Sequence, residues 1–460
     1  MTDISTSLIA ELSRLLVRPV PMAARERARR HLLDWLGCAI GARPTLQGAA
    51  LARWSATGFK RECTALLGPP SDRLRAVMIN GALGNVLEMD DVHRSSILHP
   101  GPVVIPAALA MAEVEGLSLA RLLDAIVRGY EAMIRIGRSF GRAHYRYFHN
   151  TSSAGAFGAA AAAAAVLGLP AVGLTHALAL AGTRTGGLWQ MRLEPGEAKS
   201  WHNAQAAQSG LQAAEWAAAG YRGPLAILEG PLGLYAAMAA DADPAQVLAM
   251  DSIDWQIEGV SFKPWPACRH AHPVIDAALR LVATAPLDVA AIDKISIASY
   301  QDALRFCDRA EPVDEAQARF SLQHAVAVCL RRGAPRAEDF RGEALHDPAL
   351  AALRARCRLS ADAALEARYP QHYGAQLSIQ LADGNVRECL IADAWGDPEW
   401  PLSVADIAGK AQRLLQAGGV SGPMAQRLAE AILEWPEDTP VHALGNLLQA
   451  ALSGPPDGRH

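Results

Sequence analysis

The sequence predicts a mainly α-helical protein that carries a smaller α+β domain between two helical stretches. Apolar residues recur at helical spacing through the first half of the chain, for example at Leu32, Leu36 and Ile40. Near residue 260 this pattern gives way to alternating apolar and polar residues, which are typical of strands. The predicted domains are therefore residues 1–259 (helical), 260–397 (α+β) and 398–460 (helical). Since a short helical tail has little core of its own, the last stretch is expected to return to the first domain.

The central helix of the first domain is predicted at residues 154–167. Its alanines and glycines are small on every side, so that neighbouring helices can press against it. Ser152 or Ser153 would cap it. The positive end of its dipole would then point towards His149 and Thr151, which suits an anionic ligand, although a plain helix cap is the alternative.

Three features predict the α+β domain. Residues 262–273 contain three closely spaced prolines and cannot form a helix. Residues 292–300 alternate in polarity and predict a strand. Residues 375–381 and 386–392, separated by an Asp-Gly-Asn turn, predict a β-hairpin.

Composition excludes several classes of function. At 460 residues the chain is long enough for two domains, and 51% hydrophobic residues supply a core. With a net charge of −4 and no basic run, neither nucleic acid nor a membrane surface is an expected partner. The N-terminus lacks a signal-peptide pattern, and the longest apolar stretch is too short to cross a bilayer. Seven cysteines without C-x-x-C spacing favour a reducing cytoplasm and argue against a disulfide framework, a zinc site or an iron–sulfur cluster.

The most unusual stretch of the chain is residues 85–102. It holds three acids, two imidazoles, one arginine and two hydroxyls between two apolar segments. Charged groups in such a setting need a cleft or partners, and acids beside imidazoles shift one another's pKa values. Helix capping and a His-Pro-Gly-Pro turn are the structural alternative.

Lysine is rare in this chain. Among 43 basic residues only five are lysine, at positions 60, 199, 263, 294 and 410. Lys199 and Lys263 stand in unusual polar or proline-rich surroundings, which indicates that a compact ammonium group is needed there.

Seven ordered blocks together give the chain a resemblance to the MmgE/PrpD family. They are 90–93 with 99–100, 149–151, 199–204, 227–230, 263–268 with 272, 318–322, and 383–384. The family includes 2-methylcitrate dehydratase, cis-aconitate decarboxylase and iminodisuccinate epimerase. The resemblance implies an all-α domain built from both chain ends, an inserted α+β lid domain, and an active site between them. It also implies a homodimer, no metal or organic cofactor, and a small di- or tricarboxylate substrate.

Matching the blocks to the family gives the candidate site residues. The expected catalytic residues are Asp91, His99, His149, Lys199 and Lys263. The expected substrate-binding residues are His93, Thr151, Arg269 and His324, the last standing near the position of a tyrosine common in the family. The structural alternatives are a helix cap for Asp91, a core histidine for His149, and surface charges for the lysines.

These residue types suit chemistry beside a carboxylate. Fixed cations would stabilise the negative charge that develops in the transition state. Either Asp91 or His149 would serve as the base. The acid would be His99, or whichever of Asp91 and His149 is not the base. Dehydration, decarboxylation and epimerisation can all use this arrangement. The resemblance favours a hydro-lyase of the 2-methylcitrate dehydratase type, with a decarboxylase, an epimerase and a non-catalytic binding protein as alternatives.

Overall fold

The computed structural model describes residues 7–55, 62–194, 196–250, 253–284 and 286–453. It confirms the predicted fold class, a mainly α protein with a small α+β part. The chain forms two compact units. The first comprises Met1–Val86, Ser96–Val260 and Ser403–His460, and the second comprises Leu87–Ser95 and Ser261–Leu402.

The helices and strands are as follows in chain order. The first unit contains α1 Leu8–Leu16, α2 Met22–Gly41, α3 Leu46–Ser55, α4 Arg73–Val86, α5 Gly101–Val114, α6 Leu119–Ser139, α7 Arg142–Tyr147, α8 Asn150–Val166, α9 Ala171–Gly182, α10 Ala198–Ala218 and α11 Leu234–Met238. The second unit contains α12 His272–Thr284, β1 Ile292–Ser299, α13 Gln301–Cys307, α14 Glu315–Arg319, α15 Leu322–Arg332, α16 Glu343–His346, α17 Pro348–Arg356, β2 Cys357–Ala361, α18 Ala363–Arg368, β3 Ala375–Leu381 and β4 Val386–Ile391. The first unit also contains α19 Val404–Ala417, α20 Gly422–Glu434 and α21 Val441–Leu452.

Helix α8 lies at the centre of the first unit, where α5, α6, α9 and α10 pack around it. Its small residues permit very close approach. A Cβ placed on Gly155 would lie 3.0 Å from the Cβ of Ala206, and one placed on Gly210 would lie 2.6 Å from the Cβ of Ala159. Since both contacts advance in the same direction along the two helices, α8 and α10 run side by side and begin at the same end.

A buried ion pair joins the two ends of the chain within the first unit. The ammonium of Lys410 on α19 donates to the carboxylate of Asp34 on α2 at 2.6 Å, and both side chains are almost fully buried. Removing one partner from such a pair leaves an uncompensated buried charge. The pair therefore fixes α19 against α2.

The second unit is built on a four-stranded sheet in the order β2-β1-β3-β4. Strands β1 and β2 are parallel, whereas β1 with β3 and β3 with β4 are antiparallel. The alternating residues Ile295 and Ile297 of β1 and Leu377 and Ile379 of β3 join a buried core with α12 and α15. The predicted strand at 292–300 and the predicted hairpin are confirmed, and Gly384 in the hairpin turn adopts a φ of +86° that favours glycine.

The structure differs from the sequence prediction at one segment of the first predicted domain. That domain was expected to be continuous over residues 1–259, whereas Leu87–Ser95 cluster with the second unit. Backbone hydrogen bonds explain this, because Val92 and Ser261 exchange N–H···O bonds of 3.0 and 2.8 Å. Among the described residues, no helix has both the length and the apolar character needed to cross a bilayer.

Candidate active site

Three helices of the first unit begin beside one another. Near Gly155 of α8, an added Cβ would lie 3.0 Å from both Val103 of α5 and Ala206 of α10. One turn earlier, the backbone N–H of His99, two residues before α5, donates to the hydroxyl of Thr151 at 3.1 Å. The N-termini of α5, α8 and α10 therefore lie in one neighbourhood. Helix N-termini carry partial positive charge, so their combined field favours an anion.

His149 occupies the N-cap of α8 and is almost fully buried. Its backbone carbonyl accepts from Ser152 and Ser153, and its backbone N–H donates to Gly187 at 2.8 Å. Its ring lies against Trp189, with a centroid separation of 4.4 Å, and 5.6 Å from the ring of His202. The helix was predicted to begin at Ala154 with a serine cap. It begins four residues earlier, at Asn150, where the carbonyl of His149 accepts the first helical hydrogen bonds. Thr151 therefore lies in the first turn.

Burial lowers the pKa of the His149 imidazole well below its ordinary value of 6.5. Positive charge on Lys199 and on the neighbouring histidines lowers it further. Burial also lowers the pKa of His202. The pair is therefore uncharged at neutral pH. An uncharged imidazole can accept a proton from a substrate, or take one up when an anion binds.

Cationic and aromatic side chains cover this histidine. The guanidinium of Arg192 lies 3.4 Å above the ring of Trp189 and 4.6 Å from that of Tyr145. Stacking of this kind holds a guanidinium in place beside the histidine. Lys199 lies in the first turn of α10, where the positive end of the helix dipole repels its ammonium group. A carboxylate bound there would offset both positive charges.

Several buried polar atoms in this part of the first unit have no hydrogen-bond partner among the described residues. They are Nδ1 of His149, Nδ1 of His202, Nε1 of Trp189 and both amide atoms of Asn203. Buried polar groups are normally paired, because an unmade hydrogen bond costs on the order of 1–3 kcal/mol. The concentration of such atoms near three helix N-termini indicates a site for a polar ligand.

The second unit contains a different charged group around Lys263. The ammonium is fully buried, donates to the backbone carbonyl of Glu88 at 3.1 Å, and lies 3.6 Å from the Asp90 carboxylate and 3.7 Å from that of Glu88. Glu88 has a φ of +55°, which is strained for a residue with a side chain. Such strain is frequent at functional sites.

Asp397 connects three segments of the second unit. Its buried carboxylate accepts from Ser261 at 2.6 Å, lies 3.3 Å from the guanidinium of Arg94, and pairs with Arg269. Arg94 also pairs with Asp393 at 3.0 Å and with Glu399 at 2.8 Å. These contacts fix the segment that contains Asp91 and His93 to the sheet-bearing part of the same unit.

One cluster in the described part of the chain has the residue types of a metal site. His372, Asp393 and Glu399 place one ligand atom each within 4.8 Å of one another. The guanidinium groups of Arg94 and Arg368 pair with its carboxylates. Because these guanidinium groups already neutralise the acids, a cation is disfavoured in this cluster.

Comparisons with known proteins agree with this architecture. The MmgE/PrpD N-terminal domain matches residues 9–247, and the MmgE/PrpD C-terminal domain matches residues 265–436. The chain belongs to the MmgE/PrpD family. Over 98% of each chain it is 25% identical to a cis-aconitate decarboxylase-like protein of Aspergillus oryzae. It is 26% identical to the cis-aconitate decarboxylase of Homo sapiens, over 84% of this chain and 82% of the human protein.

The MmgE/PrpD site residues predicted from the sequence fall into two groups. His99, His149, Thr151 and Lys199 lie in the first unit, at or beside the three helix N-termini. Asp91, His93, Lys263, Arg269 and His324 lie in the second. Within the second unit Asp90, rather than Asp91, is the aspartate in ion-pair distance of Lys263.

His324 has structural partners at both ring nitrogens. Nε2 lies 2.7 Å from the backbone carbonyl of Asp339, and Nδ1 lies 3.2 Å from the guanidinium of Arg354. A neutral ring that donates from Nε2 and accepts at Nδ1 satisfies both contacts, consistent with a pKa lowered by burial. In this arrangement neither nitrogen is available to a substrate.

Sequence reasoning missed His202, Asn203, Trp189 and Arg192. The first two lie in the 199–204 block, but a helical block does not reveal which of its residues face a neighbour until the packing is known. Trp189 and Arg192 lie in a short 3-10 turn, Trp189–Arg192, whose sequence has no periodic signal.

Asp276 holds the Lys263 segment in place. Its carboxylate accepts from the indole of Trp265 at 2.8 Å and from the backbone N–H of Trp395 at 2.7 Å. On the other side of Lys263, the N–H of Phe262 donates to the carbonyl of Gly396 at 3.0 Å. Burial raises the pKa of Asp276 from 3.8 to about 6, even though its hydrogen bonds oppose this shift.

The raised pKa of Asp276 predicts a pH effect on stability. A carboxyl whose pKa is higher in the folded state than in the unfolded state stabilises the fold. This contribution is fully present at a pH below the unfolded-state pKa, and it is lost as the pH rises through the folded-state pKa of about 6. The change amounts to roughly 3 kcal/mol. The free energy of unfolding of the wild type, measured relative to that of Asp276→Asn, should therefore fall by about this amount between pH 4 and pH 7.

Thermal unfolding at several pH values measures this difference. Asp293→Asn, which alters an exposed carboxylate on β1, is the matched control and should give a difference that hardly varies with pH. If the stability of the wild type relative to Asp276→Asn instead rises between pH 4 and pH 7, the pKa of Asp276 is not raised in the folded state.

Proposed function

We propose that this protein is a cofactor-independent decarboxylase of a small tricarboxylate of the cis-aconitate type. The sequence alone favours a 2-methylcitrate-type dehydratase, but the names of the relatives support the decarboxylase alternative instead. The observation that carries the proposal is the buried, uncharged His149 among cations at three converging helix N-termini. We also propose, from family membership, that the active species is a homodimer.

The arrangement suits the electrostatics of decarboxylation. When the C–C bond to one carboxylate breaks, its electron pair enters the conjugated system of the substrate and reaches a remaining carboxylate. Lys199, Arg192 and the helix N-termini lie where they can stabilise that negative charge. A site with little water strengthens these interactions, because the local dielectric constant is low.

His149 would supply the proton that completes the reaction. It is uncharged in the absence of substrate, because burial first and the surrounding positive charge second disfavour its protonated form and lower its pKa. A bound trianion reverses that balance, so that the imidazole takes up a proton. After CO2 leaves, the proton passes to carbon. A trianion and one proton thus become a dianion and CO2, and the imidazole returns to its uncharged state.

A substrate panel in heavy water, followed by proton NMR, tests the proposed function. With cis-aconitate we expect CO2 release, two vinyl proton signals of 2-methylenesuccinate, and one deuterium at the newly protonated carbon. Loss of water from 2-methylcitrate without CO2 would identify a dehydratase. Deuterium uptake by a dicarboxylate without net change would identify an epimerase. Either result, or complete inactivity, contradicts the proposal.

Lys199 gives a sharper test of the charge argument. Lys199→Ala should lower kcat/KM by at least about a hundredfold, because losing a desolvated charge contact costs roughly 3 kcal/mol. Lys294→Ala, which removes an exposed ammonium from β1, is the matched control and should retain wild-type kinetics. Near-wild-type kinetics in a folded Lys199→Ala variant would remove this residue from the site.

A further inference from the structure

Asn203 is a fully buried asparagine whose amide oxygen and amide nitrogen both lack a hydrogen-bond partner in the described part of the chain. Another buried asparagine shows the usual arrangement. The amide of Asn80 accepts from the N–H of Leu66 at 3.0 Å and donates to the carbonyl of Thr64 at 2.8 Å. Because unpaired buried amides are rare and destabilising, the Asn203 amide calls for a partner beyond the described residues, such as a bound ligand.

The position of Asn203 follows from helix geometry. Ala206 meets Gly155 and Val103 where α10, α8 and α5 touch. A helix returns to the same face after three or four residues, so Asn203 lies one turn nearer the start of α10. At the same level, where α5 and α8 begin, the N–H of His99 donates to the hydroxyl of Thr151. We call this level the N-terminal layer of the three helices. The amide of Asn203 therefore faces the layer in which all three helices begin.

The chemistry of that layer selects a carboxylate. The positive ends of three helix dipoles favour an anion, and the Asn203 amide can donate an N–H to it. Lys199 lies four residues before Asn203 on α10, and residues at this spacing share a helix face. Its ammonium can thus neutralise an anion that the amide holds.

We propose that Asn203 binds one carboxylate of the substrate through Nδ2 at the junction of the α5, α8 and α10 N-termini. This inference rests on the proposed function only in taking the substrate to be a small polycarboxylate. It assigns Asn203 a role in binding and orienting the substrate before any bond breaks. The amide oxygen then remains available to a substrate group or a water.

The test uses tricarballylate, a saturated tricarboxylate, with binding measured by titration calorimetry and unfolding measured without ligand. Asn203→Leu should weaken tricarballylate binding roughly tenfold or more, because a hydrogen bond to a charged acceptor is lost. The ligand-free Tm should stay the same or rise, since an unpaired buried amide has been removed. Asn203→Asp should weaken binding further through like-charge repulsion.

Asn80→Leu is the matched control, because its amide is satisfied by the backbone. It should lower the Tm, by leaving Leu66 and Thr64 unpaired, while tricarballylate affinity stays at the wild-type value. Wild-type affinity in Asn203→Leu overturns the proposal, as does a wild-type protein that does not bind tricarballylate.

The binding measurement is independent of turnover, so the two proposals fail in distinguishable ways. A protein that releases CO2 from cis-aconitate but binds tricarballylate equally well with and without the Asn203 amide contradicts only the asparagine assignment. A protein that releases no CO2, yet binds tricarballylate more weakly after Asn203→Leu, contradicts only the decarboxylase assignment.

Discussion

The positive ends of three helices meet beside one buried, uncharged imidazole in the first unit. Each helix alone would attract an anion weakly, with an interaction of roughly 0.3–1 kcal/mol at an exposed site. Their convergence in a buried place strengthens the effect, because water screens it less. Burial lowers the pKa of His149 most, and the positive side chains that favour an anion, Lys199 first among them, lower it further, so that the imidazole stays uncharged. Substrate binding and the protonation state of the imidazole are thus two consequences of one electrostatic arrangement.

Small residues make this convergence possible. Helices usually pack with axes 8–10 Å apart, at a distance set by the side chains between them. At Gly155 and Gly210 even one added methyl group would collide with the neighbouring helix. The alanine-rich stretch of α8 therefore lets the N-termini of neighbouring helices lie close together.

Patterns in the sequence predicted those features that depend on nearby residues. Strand β1, the β3–β4 hairpin and the central small-residue helix all follow from local periodicity and turn chemistry. The scarcity of lysine singles out Lys199 and Lys263 as candidates, whereas the buried Lys410–Asp34 pair shows that a compact ammonium can also serve packing. Lys60 lies outside the described residues.

Features that depend on distant residues were not predictable. Segment Leu87–Ser95 joins the second unit through Arg94, whose carboxylate partners lie about three hundred positions later in the chain. Strand β2 is short and mostly exposed, and it is defined by parallel pairing with β1 rather than by its own pattern. Asn203 lies in the 199–204 block that contributes to the family resemblance, but only the contact of α10 with α8 shows which way its amide faces.

The central claim is that the surroundings of His149 keep its imidazole uncharged until an anion binds. Nitrogen NMR of ligand-free protein labelled at histidine measures this directly, with His149→Gln identifying the signal. We expect a neutral imidazole throughout pH 6–8 without ligand, and a shift towards the protonated form when tricarballylate is added. A His149 ring that titrates at or above its ordinary pKa of 6.5 in the ligand-free protein would contradict the account.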